Sequence, residues 1–159
     1  MPKKYLKHSG NFWEYYTQKK SAYCLTILIG GNHEAGNYMR ELFYGGWLAP
    51  DIYYLGSAGI VNIFKGEKKV LRIFGNSGIF KPYHFNTLHP LLPLDNDTKR
   101  SCYHIRFLEA LRASLISEKV DIGLSHDWPR ISPYKGNLKE LFKIKPFFEK
   151  DVMNICFYD

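Results

Sequence analysis

The sequence predicts an α/β domain in which strands and helices alternate around a sandwich of sheets. Three observations carry this expectation. Two apolar, β-rich runs, Tyr23 to Ile29 and Val120 to Leu124, each end in a polar loop holding a histidine: Gly30-Gly31-Asn32-His33-Glu34 and Ser125-His126-Asp127. A buried strand that feeds a tight loop has this pattern. Between them lies a hairpin pattern, and segments with helical spacing separate and follow the strands, which is the alternation of a mixed α/β fold.

Along the chain, Ala35 to Phe43 follows the first loop as a short helix, stopped by Gly45-Gly46. Ile52 to Leu55 reads as a strand. Gly59 to Phe64 and Val70 to Phe74 are two more, joined by the charged turn Lys65-Gly66-Glu67-Lys68-Lys69 into a hairpin. From Gly75 to about Arg100 the periodicity fails, interrupted by Pro82, Pro90 and Pro93. A loop of this length inside a compact domain is usually functional or disordered. Tyr103 to Ile116 recovers helical spacing at Ile105, Leu108, Leu111 and Leu115. Asn137 to Lys143 and Pro146 to Val152 follow the second histidine loop as two short helices. No repeat or low-complexity tract divides the chain, so one domain over residues 1–152 is expected, with 153–159 as a divergent tail.

Composition narrows the class. The 159 residues are 45% hydrophobic, with 13 Gly and 8 Pro, which excludes a disordered or fibrous chain. No apolar run is long enough to cross a bilayer, and Met1 to His8 is basic without the apolar stretch of a secretory signal. Cys24, Cys102 and Cys156 form neither a CxxC pair nor a disulfide framework, so a reducing compartment, cytosol or nucleus, is expected. With 22 Lys+Arg against 15 Asp+Glu the net charge is +7, which suits a polyanionic partner such as nucleic acid. A merely basic, solvated surface gives the same charge.

The chemistry is expected where the two strands end. Side chains at the carboxyl ends of neighbouring strands converge on one crevice in α/β folds, so Asn32, His33 and His126 can meet despite their separation in sequence. Asn offers a carbonyl oxygen and neutral His an imidazole nitrogen, both donors for Mn, Fe or Zn. The same residues also read without a metal, Asn32 as a helix cap or turn residue, His33 as an exposed neighbour and His126 as a loop residue bonded to backbone.

Gly-Asn-His-Glu after a strand resembles the third signature of the calcineurin-like metallophosphoesterases. The surrounding blocks narrow the likeness: Gly30 to Ala35 with Asn37-Tyr38, then Tyr44-Gly45-Gly46-Trp47, Ala49-Pro50 and Ile52-Tyr53-Tyr54-Leu55-Gly56. It continues through Ser77-Gly78-Ile79-Phe80, Tyr103-His104 with Arg106, Leu124 to Arg130, and ends near Lys145-Pro146-Phe147-Phe148. Even Pro2 to Tyr5 and the aromatic cluster Phe12, Trp13, Tyr15 and Tyr16 fit. Over roughly Pro2 to Val152 the chain is similar to the RNA lariat debranching enzymes.

That resemblance implies a metallophosphoesterase-like β-sandwich flanked by helices. It implies hydrolysis of the 2′-5′ phosphodiester at the branch point of excised intron lariats, in RNA splicing and intron turnover, by a metal-activated water. By motif position Asn32 and His126 would be metal ligands in a two-metal site of Fe, Zn or Mn. His33 would be the general acid at the leaving oxygen, a role suited to a group titrating near neutrality. Glu34 and Asp127 would act behind them, orienting their neighbours; Glu34 also reads as a solvated acid at a helix N-terminus. The segment Lys81 to Arg100 falls where the family carries its lariat-recognition loop. Lys81, Tyr83, His84 and Phe85, with His89, suit stacking on unpaired bases with cationic support. Trp128 would line the branch pocket or simply pack beneath the site. The implied partner is branched intron RNA, in the nucleus or also in the cytoplasm, with no membrane and no small-molecule cofactor.

Part of the family pattern is missing. The first signature, Asp or Cys followed two residues later by His, is absent from residues 1–31, as are the Gly-Asp signature and a late His-x-His. After Asp127 no histidine occurs. The sequence therefore looks like the middle of a catalytic domain, apparently truncated at both ends, with exposed apolar surface and a bare sheet edge expected to weaken its folding. The alternative function is a catalytically incomplete remnant that binds RNA without cleaving it.

Overall fold

The computed structural model of the chain describes residues 10–96, 98–129 and 131–154. Pro2 to Tyr5, Arg130 and Cys156 lie outside the described residues, as does the tail from residue 155. The chain divides into two compact units, 1–126 and 127–159.

The first unit opens with helix α1, Phe12–Tyr16, where the sequence showed only an aromatic cluster. Strand β1 follows at Thr26–Leu28. It is shorter than the apolar run, and its face is only half covered: Leu25, just before it, is exposed. Helix α2 is Gly36–Glu41, within the expected segment. It ends at Glu41 with Leu42 as its C-cap, short of Gly45-Gly46, and Gly46 starts an unforeseen strand, β2, Gly46–Ala49. Strand β3 is Ile52–Tyr54. It pairs in parallel with β1, Ile27 opposite Tyr53, and antiparallel with β2, giving a mixed sheet ordered β1-β3-β2.

The hairpin is β4, Ala58–Lys65, with β5, Lys68–Asn76, turned by Gly66-Glu67 and broken by one irregularity between Ile63 and Phe64. The second sheet is completed by β6, Ile122–Ser125, which pairs in parallel with β5 so that Asn76 faces Ser125. Asp121 sets where this pairing begins: its carboxylate accepts the Arg72 N–H at 2.8 Å while its own N–H donates to the Arg72 carbonyl. The α/β class expected from the alternation is thus realised, among the described residues, as two mixed three-stranded sheets with short helices.

The Gly75 to Arg100 segment is not structureless. It contains the short helix α3, Pro82–Phe85, and a 3-10 turn at Thr98–Arg100. Helix α4 is Phe107–Ser114, beginning four residues later than its periodicity suggested. The delay has a physical cause: Ile79 and His104 form an isolated parallel bridge, the Ile79 and Ile105 N–H groups donating to the Tyr103 and Ile79 carbonyls, so the backbone around His104 is tied to Ile79 instead of to a helical turn. Gly78 makes the approach possible. Its φ is +91°, and a β-carbon there would stand 2.1 Å from the Tyr103 oxygen.

The core of this unit is small: Leu48, Ala49, Tyr54, Leu55, Ala58, Ile73, Leu94 and Ile105. Leu55, 1% exposed, sits at its centre, and its Cδ1 and Ile29 Cγ2 occupy the space a Gly75 side chain would need. In the second unit a 3-10 turn, Pro133–Lys135, leads into α5, Leu138–Ile144, and α6, Phe147–Asn154. Asn137 caps α5 through its side chain, which accepts the Glu140 N–H. Trp128 stacks on Phe148 with ring centroids 5.9 Å apart.

Candidate functional site

Both histidine loops leave their strands where the sequence places them. Gly30 and Gly31 are buried at the end of β1, and Asn32, His33 and Glu34 rise from them into solvent. The two loops meet. A β-carbon on Gly31 would lie 2.3 Å from Cδ2 and Nε2 of His126, so the imidazole at the end of β6 rests directly on the backbone preceding Asn32. Only a residue without a side chain permits that contact.

Glu34 holds the loop in shape. Its Oε2 accepts the Gly31 N–H at 2.8 Å and the His33 N–H at 3.2 Å, so the carboxylate binds backbone on both sides of Asn32. From below, the Gly30 N–H donates to Ser77 Oγ at 3.0 Å, while the Ser77 hydroxyl donates to the Gly56 carbonyl. The Gly78 N–H donates to the Gly30 carbonyl at 2.9 Å. One buried serine therefore fastens the ends of β1, β3 and β5 together. Ser77 belongs to the Ser77-Gly78-Ile79-Phe80 stretch, and nothing local in the sequence signals this role.

Behind the loop lies a cavity of about 50 Å³, with Glu34, Tyr54, His89, Cys102, His104 and Glu109 among its lining residues. Burial pushes the Tyr54 phenol above its ordinary value, partly opposed by its hydrogen bond with Ser77. Burial likewise raises the Cys102 thiol, which leaves it a poor nucleophile at neutral pH.

The wall of this cavity is a charged network that sequence reasoning missed. Glu109, 1% exposed, accepts the Arg106 N–H at 2.7 Å through Oε2, and its Oε1 lies 2.8 Å from His89 Nε2. Burial opposes ionisation of Glu109, but the His89 imidazole and the Arg106 and Glu109 N–H groups outweigh it and hold the carboxyl below its ordinary value. The buried Arg106 guanidinium donates to the His84 carbonyl at 2.9 Å and the Ser101 carbonyl at 3.0 Å. His89 thus anchors the loop instead of presenting itself on it.

The remaining predicted residues are spread along that segment. Lys81 stands at the N-cap position of α3 with no capping bond from its side chain, and Tyr83 is 68% exposed. His84 is half-buried against His104, and Phe85 is edge-on to Phe80 and Phe107, at 5.5 and 6.0 Å between centroids. Asp127 and Trp128 belong to the second unit, where Trp128 is exposed.

As metal donors, the Asn32 carbonyl and the His126 imidazole suit Mn, Fe or Zn by type. They do not complete a site: among the described residues no three His, Cys, Asp or Glu side chains gather where they could hold a metal ion.

No protein-family model matches the chain. Individual proteins do. The chain is 48% identical over 153 residues to lariat debranching enzyme A of Xenopus laevis and 46% over 155 residues to the human lariat debranching enzyme. It is 41% identical over 153 residues to that of Schizosaccharomyces pombe. The chain is homologous to the lariat debranching enzymes. The matches cover 96–97% of its length, so they take in both strand-end loops and the segment from Lys81 to Glu109. It spans only 28%, 27% and 32% of these three debranching enzymes.

Proposed function

We propose that this chain carries part of a lariat-debranching site within a metallophosphoesterase-like sandwich, and that its substrate is the 2′-5′ phosphodiester of branched RNA. The observation that supports it most is the seating of His126 on Gly31, in a chain homologous over 96% of its length to debranching enzymes. In this reading Asn32 and His126 are two donors toward a divalent cation, Fe, Zn or Mn, whose sphere they leave incomplete. His33 delivers a proton to the departing oxygen, a task for which an exposed imidazole is suited. Glu34 keeps Asn32 and His33 in register by holding the backbone around them, with Asp127 supporting His126. Lys81, Tyr83, Phe85 and Trp128 contact RNA, and the work takes place in the nucleus or cytoplasm.

The test is cleavage of a synthetic 2′-5′ branched RNA by the 159-residue chain with Mn or Fe supplied. Cleavage that disappears in His33→Ala, with linear RNA and an aryl phosphate left intact, is the expected result. The incomplete donor set favours a second reading, branched-RNA binding without cleavage. Under it the folded chain retains salt-sensitive RNA affinity, shows no cleavage, and is indifferent to His33→Ala.

A further inference from the structure

The segment that carries Tyr83 is fastened by an unusual contact. Nδ1 of His84 lies 2.6 Å from Nδ1 of His104, and the rings are 4.9 Å apart and tilted by 34°. His104 is 6% exposed and lies in the bridge with Ile79. A hydrogen bond between two Nδ1 atoms needs one N–H and one lone pair. A neutral pair satisfies this, and so does a pair carrying one extra proton at an Nε2. A second extra proton removes the last Nδ1 lone pair and sets two cations against each other.

We infer that His84 and His104 are a one-proton latch that positions α3, and Tyr83 with it, against the body of the first unit. The pair is the side-chain half of the fastening, and the Arg106 bond to the His84 carbonyl is the backbone half. The groups facing the pair discourage further protonation. Lys81 and Arg106 are cationic and oppose a further positive charge; Tyr83 and Tyr103 pack edge-on with centroids 4.6 Å from His84 and 5.2 Å from His104 and supply no anion. The nearby carboxylate, Glu109, faces Arg106 and is occupied by His89. In keeping with this geometry, burial, His84, Arg106 and Lys81 lower His104 to about 4, and burial and Arg106 also lower His84.

The consequence for RNA rests on the debranching reading above: acidification frees α3 and withdraws Tyr83 from the position in which it stacks on a base. The test compares the full chain with His84→Asp, whose carboxylate accepts from a protonated His104. Imidazole titration by NMR and amide exchange in α3 report the latch, and affinity for a branched RNA oligonucleotide at fixed salt reports its use. In the wild type His104 stays neutral well below 6.5, and α3 protection and RNA affinity both fall about tenfold once the second proton binds. In His84→Asp, His104 titrates above 6.5 and α3 protection survives its protonation. Titration of wild-type His104 near 6.5, or α3 protection that ignores its protonation, overturns the latch. If protection follows the proton while RNA affinity does not, the latch stands and the RNA reading fails.

Discussion

Gly31 shows how one absent methyl group sets the geometry of the candidate site. The His126 ring fills the space a side chain would take, so Gly31→Ala must move either the imidazole or the loop carrying Asn32 and His33. Displacements of about 1 Å at reacting groups cost up to about a hundredfold in rate. Gly31→Ala is expected to lower branch-specific cleavage or binding at least tenfold while far-UV circular dichroism stays unchanged. Ser77 works on the same scale with a different readout. Ser77→Ala leaves the Gly30 N–H and the Gly56 carbonyl without their buried partner, and a loss of about 1–3 kcal/mol is expected in chemical denaturation.

At the scale of elements, helix α4 and the loop before it stand or fall together. Glu109 serves both, accepting from the first backbone N–H of α4's cap and from His89 in the loop. Removing it in Glu109→Ala leaves the Arg106 N–H and the His89 imidazole without their acceptor, and about 1–3 kcal/mol of destabilisation per unpartnered group is expected. Glu109→Gln, which keeps the shape, should lose less. The pH dependence follows from the shifts. Glu109 is held below its ordinary 4.5, so the unfolded chain takes up that proton first and stability is lost as the pH falls through the folded value. His104, lowered from 6.5 to about 4, acts earlier: between those values the unfolded state binds the proton and the folded state does not. Thermal midpoints are therefore expected to fall on acidification from about pH 6.5 to 4. His104→Phe should flatten the upper part of that decline, and an unchanged slope would refute the assignment.

For the whole molecule, charge and surface decide the behaviour. A net charge of +7 makes RNA affinity salt-dependent through counterion release, and a log–log slope of about −0.7 per phosphate contacted is expected on single strands. A salt-independent affinity would remove RNA from the proposal altogether. The first unit keeps β1, β2, β4 and β6 as edge strands among the described residues, and Leu25, Phe64, Leu71, Leu111, Leu115 and Ile122 are exposed around its few core side chains. So much open apolar surface favours a broad thermal transition with self-association. A single sharp, concentration-independent transition by circular dichroism would contradict that.

The sequence by itself determined the elements whose signal is local. The β4–β5 hairpin was legible because alternation runs continuously into a charged glycine turn, and α5 because Asn137 caps a helical repeat. The two strand-end loops were legible for a related reason, an apolar run that stops at glycine and a histidine. Tertiary structure decided the rest. β2 was hidden because Gly45-Gly46 reads as a stop, and it becomes a strand only by pairing with β3, where Trp47 meets Tyr53 edge-on at 5.1 Å. The start of α4 was misplaced because the bridge to Ile79 claims the backbone of Tyr103 to Ile105 before a helix can form. Arg106, Glu109 and His89, like the His84–His104 contact, left no trace in periodicity. A buried carboxylate's hydrogen bonds or a shared proton depend on which groups a returning loop brings within about 3 Å, and that distance is set by the packing of the whole unit.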